Sequence, residues 1–225
     1  MSQRDTDIYT STPLRGLLAQ ETAALAPDLQ RCAGGYGLQV SAAPYDVPPV
    51  LPMLPCWTRL HLVRASYAGD VRARADEPLP FADDAFGLVL LRHALEVAPS
   101  AQDLLAEAAR VLTPGGVLAL TGMHPASGWL PWLLWRDRHR ELALNSPFRL
   151  SQWLHAAHLS IERVQRVGPL WPAASTNARS GLLGGGYLLL ARKRRHAVMP
   201  LRVRPHAVAA PVAGLAPGAR RNSAA

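Results

Sequence analysis

The chain has 225 residues, 49% of them hydrophobic, which suits one domain of ordinary size with a sizeable core. Its formal net charge is +8, from 24 basic and 16 acidic residues. Every acidic residue lies at or before Glu162, where 13 arginines give a local balance of 13 − 16 = −3, and 11 basic residues follow with no acid. The basic character therefore belongs to the C-terminal end, which argues against a nucleic-acid-binding core.

The cysteines and the hydropathy of the chain bear on metal binding, on the cellular setting and on membrane insertion. Cys32 and Cys56 form no C-x-x-C pair and have no histidines at metal-ligand spacing, so we predict no metal site and a reduced cytoplasmic setting. The residues after Met1 are polar and charged, and no apolar run reaches the ~18 residues that a membrane span needs. We expect a soluble cytoplasmic protein.

The first half of the chain predicts a helix, a strand, a loop and a second strand. Residues 14–29 have the apolar spacing of an amphipathic helix, and a strand follows at 36–40. Five prolines within residues 44–55 predict a loop without regular structure. A second strand is predicted at 59–65 and a short third segment at 70–75.

The second half alternates strands and helices more regularly. The continuous apolar run at 86–91 is typical of a strand buried on both faces of a parallel sheet. Further elements are predicted as a helix at 101–112 capped by Ser100, a strand at 117–121, a helix start at 129–135, a helix at 148–159, and closing strands at 161–167 and 187–192. Such alternation predicts βαβ units, a mostly parallel twisted sheet and helices on both of its faces.

Three segments carry a family resemblance. They are L-P-F-A-D-D-A-F from residue 79, H-A-L-E from residue 93, and L-L-A-E-A-A-R-V-L-T-P-G-G from residue 104. Their combination resembles the class I S-adenosylmethionine-dependent methyltransferases, type 11 group. With T-G-M-H-P-A-S-G-W at 121–129 and A-R-K-R at 191–194, the resemblance covers most of residues 14–195. It implies a Rossmann-like α/β fold, with a mostly parallel seven-stranded sheet whose last pair includes an antiparallel strand.

The resemblance also implies a domain organisation. Residues 14–195 form the methyltransferase-like domain, and residues 1–13 are an N-terminal extension. The basic stretch 196–225 lacks periodicity and is expected to be a disordered tail.

The cofactor motif departs from the family pattern. The family holds the methionyl part of S-adenosylmethionine with a glycine-rich turn after the first strand, whereas this chain reads G-L-Q-V-S-A-A-P there. Gln39 stands where an acid is usual, and Ser41 and Ala43 stand where glycines are usual. The second strand, H-L-V-R-A-S-Y, ends without the acid that binds the ribose hydroxyls. The cofactor contacts implied by the resemblance are Gly37, Gln39, Ser41, Ala43, Asp76, Glu77, Leu79 and His93.

Two histidines are candidates for the acceptor side. His93 follows the fourth strand of the family pattern, where it could act as a general base toward a nucleophilic substrate. With Glu96 it could equally serve only to orient the next helix. His124 follows the fifth strand and could contact substrate, or simply shape the turn before Pro125.

The leading hypothesis is transfer of a methyl group from S-adenosylmethionine to an unidentified acceptor, which we expect to be a small molecule. The alternative is a catalytically inactive relative that acts as a binding or scaffold protein, which the degenerate cofactor motif favours. A third hypothesis, nucleic-acid binding, rests on the charge of the tail alone.

Overall fold

The computed structural model describes residues 8–136, 142–172 and 184–194. The strands are β1 (Tyr36–Ser41), β2 (Cys56–Val63), β3 (Ser66–Gly69), β4 (Ala73–Arg74), β5 (Phe86–Arg92), β6 (Leu112–Met123), β7 (Leu159–Val167) and β8 (Gly186–Lys193). The helices are α1 (Thr12–Leu29), α2 (Ala94–Val97), α3 (Ala101–Val111), α4 (Trp129–Arg136) and α5 (Pro147–Ala156), preceded by a 3₁₀ turn at Ile8–Thr10. The tail at 196–225, and whether it binds nucleic acid, lie outside the described residues.

All eight strands form one sheet in the order β4-β3-β2-β1-β5-β6-β8-β7. The central strands β2, β1, β5 and β6 pair in parallel, whereas β3 and β8 run antiparallel to their neighbours. The prediction of a mostly parallel core with an antiparallel strand in the last pair is confirmed. The eighth strand arises because the chain reverses at Arg64, which has a φ of 56°, and returns as β3 instead of continuing β2 to residue 65.

Helices cover both faces of the sheet. The larger core packs α2, α3 and α5 against one face, with Leu38, Val89 and Leu118 of the central strands at its centre. On the other face, Leu25 and Leu29 of α1 pack against Leu188 and Leu190 of β8 and their neighbours. The side chain of Ser100 accepts a hydrogen bond from Asp103 N, as the predicted cap of α3 requires.

The connection between β1 and β2, residues 42–55, contains no helix. Parallel strands are usually joined by a helix that covers the sheet, but the prolines of this connection prevent one. Leu51 and Leu54 are buried and hold the connection against the α1 face. Part of that face beside β2 is therefore covered only by the connection.

The segment before α1 belongs to the folded unit. Ile8 and Tyr9 are each 3% exposed and pack with Met123 and Trp129 over the carboxyl ends of β1 and β6. The folded part thus extends to Ile8, beyond the predicted domain start at residue 14. No helix in the described ranges has the length and apolarity that crossing a bilayer requires.

Candidate active site

The strand order defines where a ligand would sit. From β1 the sheet continues to β2 on one side and to β5 on the other, so the connections leave in opposite directions at this point. In open α/β sheets such a switch point leaves a crevice at the carboxyl ends of the strands, where ligands bind. The crevice of this chain lies between Ser41 at the end of β1 and Arg92 at the end of β5.

Protein side chains fill the part of this crevice next to β5. The guanidinium of Arg92 donates to Asp46 Oδ1 over 2.9 Å and to the carbonyl of Leu18 over 2.9 Å. The backbone N–H of Ala42 donates to the carbonyl of Arg92. The Arg92–Asp46 ion pair is almost fully buried, and it holds the 42–55 connection to the sheet edge.

A cavity of about 280 Å³ remains on the β2 side of β1. It lies between the face of the sheet and the 42–55 connection, where no crossover helix covers the strands. Its lining is polar for the most part: Gln39, Ser41, Pro44, Asp46, Arg59, Leu60, His61, Gly69 and Asp70. Two of the predicted cofactor residues, Gln39 and Ser41, are therefore brought together here.

Gln39, which lines this cavity, has an unused acceptor. Its side chain is 1% exposed, and its Nε2 donates to Asp46 Oδ2 over 2.8 Å. Its Oε1 has no hydrogen-bond partner among the described residues. Because leaving a buried polar atom unpaired costs free energy, Oε1 marks a place for a ligand donor.

A second polar cluster lies at the ends of β5 and β6. The ring of His93 is held between two carboxylates: Nδ1 lies 3.1 Å from both oxygens of Glu96, and Nε2 lies 3.1 and 3.2 Å from the oxygens of Glu21. Glu96 also accepts hydrogen bonds from the backbone N–H of Met123 and from the hydroxyl of Tyr9. All three charged side chains are at most 1% exposed.

These carboxylates keep His93 protonated. Burial by itself lowers the pKa of an imidazole, but attraction to Glu21 and Glu96 and the hydrogen bonds to both outweigh burial and raise the pKa of His93 to about 10. A protonated ring with both nitrogens engaged has no lone pair with which to accept a proton. The geometry therefore favours the orienting role of His93 over the predicted general base.

Gly122 lets the chain pass beside this cluster. A Cβ at this position would lie 2.6 Å from Tyr187 Oη and 3.1 Å from Glu96 Oε1, both in a closely packed region. We expect Gly122→Ala to lower the free energy of unfolding by about 1–3 kcal/mol, as overpacking of a core does. Urea unfolding monitored by circular dichroism measures this, with Gly16→Ala, which has open space around its Cβ, as the control. Equal stability of both variants would contradict the packing described.

Three other predicted cofactor residues are enclosed by the protein. A Cβ on Gly37 would lie within 2.9 Å of Leu54 and Trp57, so this glycine makes room for the 42–55 connection. Ala43 is partly buried beside the apolar cluster around Tyr9. Leu79 is buried, and its N–H and C=O are already paired with Glu107 and Arg110. Their predicted cofactor contacts stay predictions.

The predicted adenine-binding acids are exposed. Asp76 and Glu77 follow β4, at the edge of the sheet where the parallel strands have their carboxyl ends. Asp76 accepts two hydrogen bonds from the guanidinium of Arg74, at 2.6 and 2.9 Å, and hydrogen bonding to Arg74 lowers the pKa of Asp76. Asp76 is thus ionised, both acids are accessible, and their contact with adenine stays a prediction.

His124 lies apart from the His93 cluster. Its Nδ1 accepts from the backbone N–H of Ala126 over 3.1 Å, and its backbone N–H donates to the carbonyl of Gly185. Burial, and to a lesser extent the positive charge of Arg166, lowers the pKa of His124. His124 is neutral at physiological pH, and because its Nδ1 accepts a hydrogen bond, its Nε2 carries the ring proton and can donate to an acceptor. Its contact with substrate stays a prediction.

The sequence analysis missed Asp46, Arg59, His61 and Glu21. A buried acid in a proline-rich loop has no motif to mark it, and Glu21 meets His93 across 72 residues of sequence. The one available signal was the polar alternation Arg59, His61 in β2, which faces the cavity and not the core.

Comparisons with known proteins support the resemblance. A family model described as a methyltransferase domain matches residues 50–120, about a third of the chain, and leaves out β1 and the turn after it. A search of curated proteins gave no match. An S-adenosylmethionine-dependent methyltransferase from Thermotoga maritima superimposes with a TM-score of 0.54 and 13% identity, covering 83% of this chain and 93% of its own. A second, from Mesorhizobium loti, gives 0.52 and 16% identity over 79% of this chain and 100% of its own.

The fold is therefore that of the class I methyltransferases, with a Rossmann-like sheet. The matched family model and this fold together support the type 11 group of S-adenosylmethionine-dependent methyltransferases. Family and fold imply S-adenosylmethionine as the cofactor.

The cavity offers a partial fit to that cofactor. Gln39 Oε1 needs a donor, which the amino group and the hydroxyls of S-adenosylmethionine can supply, and Arg59 and His61 offer donors for its carboxylate. A volume of about 280 Å³ lies just below the ~300–1,000 Å³ usual for ligand sites. The donor set fits the polar groups of the cofactor, with room for part of the molecule.

Proposed function

We propose that this protein transfers a methyl group from S-adenosylmethionine to a small-molecule acceptor in the cytoplasm. Gln39, which lines a cavity beside the switch point of a methyltransferase fold and whose buried Oε1 has no partner among the described residues, is the observation that carries the proposal. When bound, the cofactor supplies an already activated methyl group on its sulfonium. The chain itself has to bind the cofactor and the acceptor, and to align the acceptor with the methyl group.

Gln39, Ser41, Arg59 and His61 would hold the polar groups of the cofactor in the cavity. Gly37, Ala43 and Leu79 would contribute shape, and Asp76 or Glu77 would accept from the adenine amine. The Ser41 hydroxyl donates to the carbonyl of Ala43 over 2.7 Å and fixes the turn after β1. Because this turn lacks the family's glycines, we expect weaker cofactor binding than a glycine-rich turn gives.

On the acceptor side, His93 would act as a positioning residue and His124 would be the only one of the two predicted histidines with an available nitrogen. Protonated His93 ties α1, α2 and the end of β6 together through Glu21 and Glu96. A rigid sheet edge of this kind would help to align the cofactor with the acceptor. Most of the rate enhancement would come from that alignment.

Transfer of a labelled methyl group tests the proposal. The full chain is incubated with methyl-labelled S-adenosylmethionine in two separate reactions. One reaction contains the low-molecular-weight filtrate of a cell extract, and the other contains the macromolecules retained from that extract. We expect label to enter the filtrate products, and to require the protein. Label confined to macromolecules would contradict the proposal that the acceptor is a small molecule. Absence of protein-dependent label from both fractions would contradict the proposal that the protein is a methyltransferase.

A second candidate function is a binding protein without catalysis. It is favoured by the crevice itself, because Arg92, Asp46 and Ala42 occupy the part next to β5. In that case the cavity would bind S-adenosylmethionine weakly or not at all, and the 42–55 connection would offer a partner its exposed apolar residues Tyr45, Val47, Val50 and Met53. Weak or absent binding of S-adenosylmethionine, together with no methyl transfer to either fraction, is the result that would favour this candidate.

A further inference from the structure

The 42–55 connection brings one carboxylate into the cavity. Asp46 is 10% exposed in its side chain and lines the cavity. Its Oδ1 accepts from Arg92 and its Oδ2 from Gln39, and each carboxylate oxygen can accept a second hydrogen bond. The Gln39 amide that contacts the Asp46 carboxylate through its Nε2 also carries the unpaired Oε1, so the two side chains together offer acceptors at one place in the lining.

The other candidates for an acid at this side of the cavity are the end of β2 and Asp70, and neither is joined to Gln39. β2 ends at Val63 and Arg64 follows it, and neither side chain can accept a hydrogen bond from a ligand. The other acid of the lining, Asp70, accepts from the backbone N–H of Arg59 over 2.8 Å and pairs with its guanidinium at 3.5 Å. Asp70 also sits nearer solvent, with 40% of its side chain exposed.

We propose that Asp46 and Gln39 together form an acceptor pair that receives the donor groups of the bound ligand, so that an acid from the β1–β2 connection replaces the acid missing from the end of β2. This inference rests on the proposed function, which supplies the ligand. Two adjacent acceptors match two adjacent donors, which means vicinal hydroxyls or the N–H groups of an ammonium. S-adenosylmethionine carries both.

The electrostatics of Asp46 agree with this role. Burial raises the pKa of Asp46, and the nearby positive charges of Arg92 and His93 offset only part of that rise. The carboxylate is therefore left with less stabilisation than it would have in water. A ligand that donates to it would complete its coordination, while Arg92 keeps it in place.

Two variants separate the two members of the pair. Gln39→Met keeps the length of the side chain and removes both its acceptor and its hydrogen bond to Asp46, while Asp46 stays paired with Arg92; we expect about tenfold weaker binding of S-adenosylmethionine. Asp46→Asn alone would leave the Arg92 charge buried and unpaired, so it is combined with Arg92→Met, because removing both partners of a buried ion pair is often tolerated. This double variant should bind about 10–100-fold more weakly. Asp103→Asn, an exposed acid on α3, is the matched control.

Calorimetric titrations with three probes identify the donor. Methylthioadenosine has the vicinal hydroxyls without the amino acid, and methionine has the ammonium without the ribose. Loss of methylthioadenosine affinity in both variants supports hydroxyl recognition, and loss of methionine affinity supports ammonium recognition; either result supports the pair. If wild type binds S-adenosylmethionine and both folded variants match it within twofold, the acceptor pair is wrong while the proposed function stands. If wild type does not bind it at all, both are overturned.

Discussion

Replacing His93 by glutamine should lower the free energy of unfolding by about 3–5 kcal/mol, the cost of breaking a buried ion pair by removing one partner. Glu21 and Glu96 would be left facing each other without the positive charge between them, and both are at most 1% exposed. Total stabilities of single domains are about 5–15 kcal/mol, so the variant would be close to unfolding at ordinary temperature. Urea unfolding followed by circular dichroism measures the loss.

The loss should depend on pH in a defined direction. The pKa of His93 rises from an ordinary 6.5 to about 10 on folding, so the folded state holds this proton more tightly. The stability that His93 contributes is therefore fully present below about pH 6.5 and declines as the pH rises toward 10. Wild-type unfolding measured between pH 6 and pH 10 should show this decline.

Two controls separate charge from shape. His155→Gln, on the exposed side of α5, should change stability by less than about 0.5 kcal/mol. Adding Glu21→Gln to His93→Gln removes one of the unpaired charges and should recover part of the loss. A His93→Gln variant as stable as wild type would contradict the buried charge network.

Replacing His61 by tryptophan should abolish cofactor binding. His61 lines the cavity from β2 and is only partly buried, so an indole at this position can fill the cavity without displacing the core. The expected result is loss of detectable heat on titration with S-adenosylmethionine, with an unchanged circular dichroism spectrum. His155→Trp carries the same substitution to an exposed site and should bind like wild type. Binding retained in His61→Trp would place the cofactor elsewhere.

The sequence predicted best where local signals agree with one another. The run from β5 through α3 to β6 combines a continuous apolar strand with a serine cap, and both are confirmed, although β6 begins at Leu112, five residues before the predicted start at 117. The β2–β3 hairpin was not predicted, because Arg64 and Ala65 at its turn are not residues typical of turns. A left-handed φ at arginine depends on the surrounding pairing, which a local pattern does not contain.

The candidate site was less predictable than the fold. The family pattern directed attention to Gln39 and Ser41, which do line the cavity. It gave no indication of Asp46, because that acid reaches the site only through a connection that replaces the usual helix. Nor could it show that His93 is enclosed, since its partner Glu21 comes from α1 and the packing of α1 is set by the whole sheet.

Calorimetric titration of the full chain with S-adenosylmethionine and with its demethylated product tests the central claim most directly. We expect binding at micromolar affinity or better, weakened by Asp76→Ala and abolished by His61→Trp. No heat at millimolar ligand, from a sample whose circular dichroism spectrum shows it to be folded, would contradict the claim and leave the methyltransferase fold as a scaffold for binding other partners.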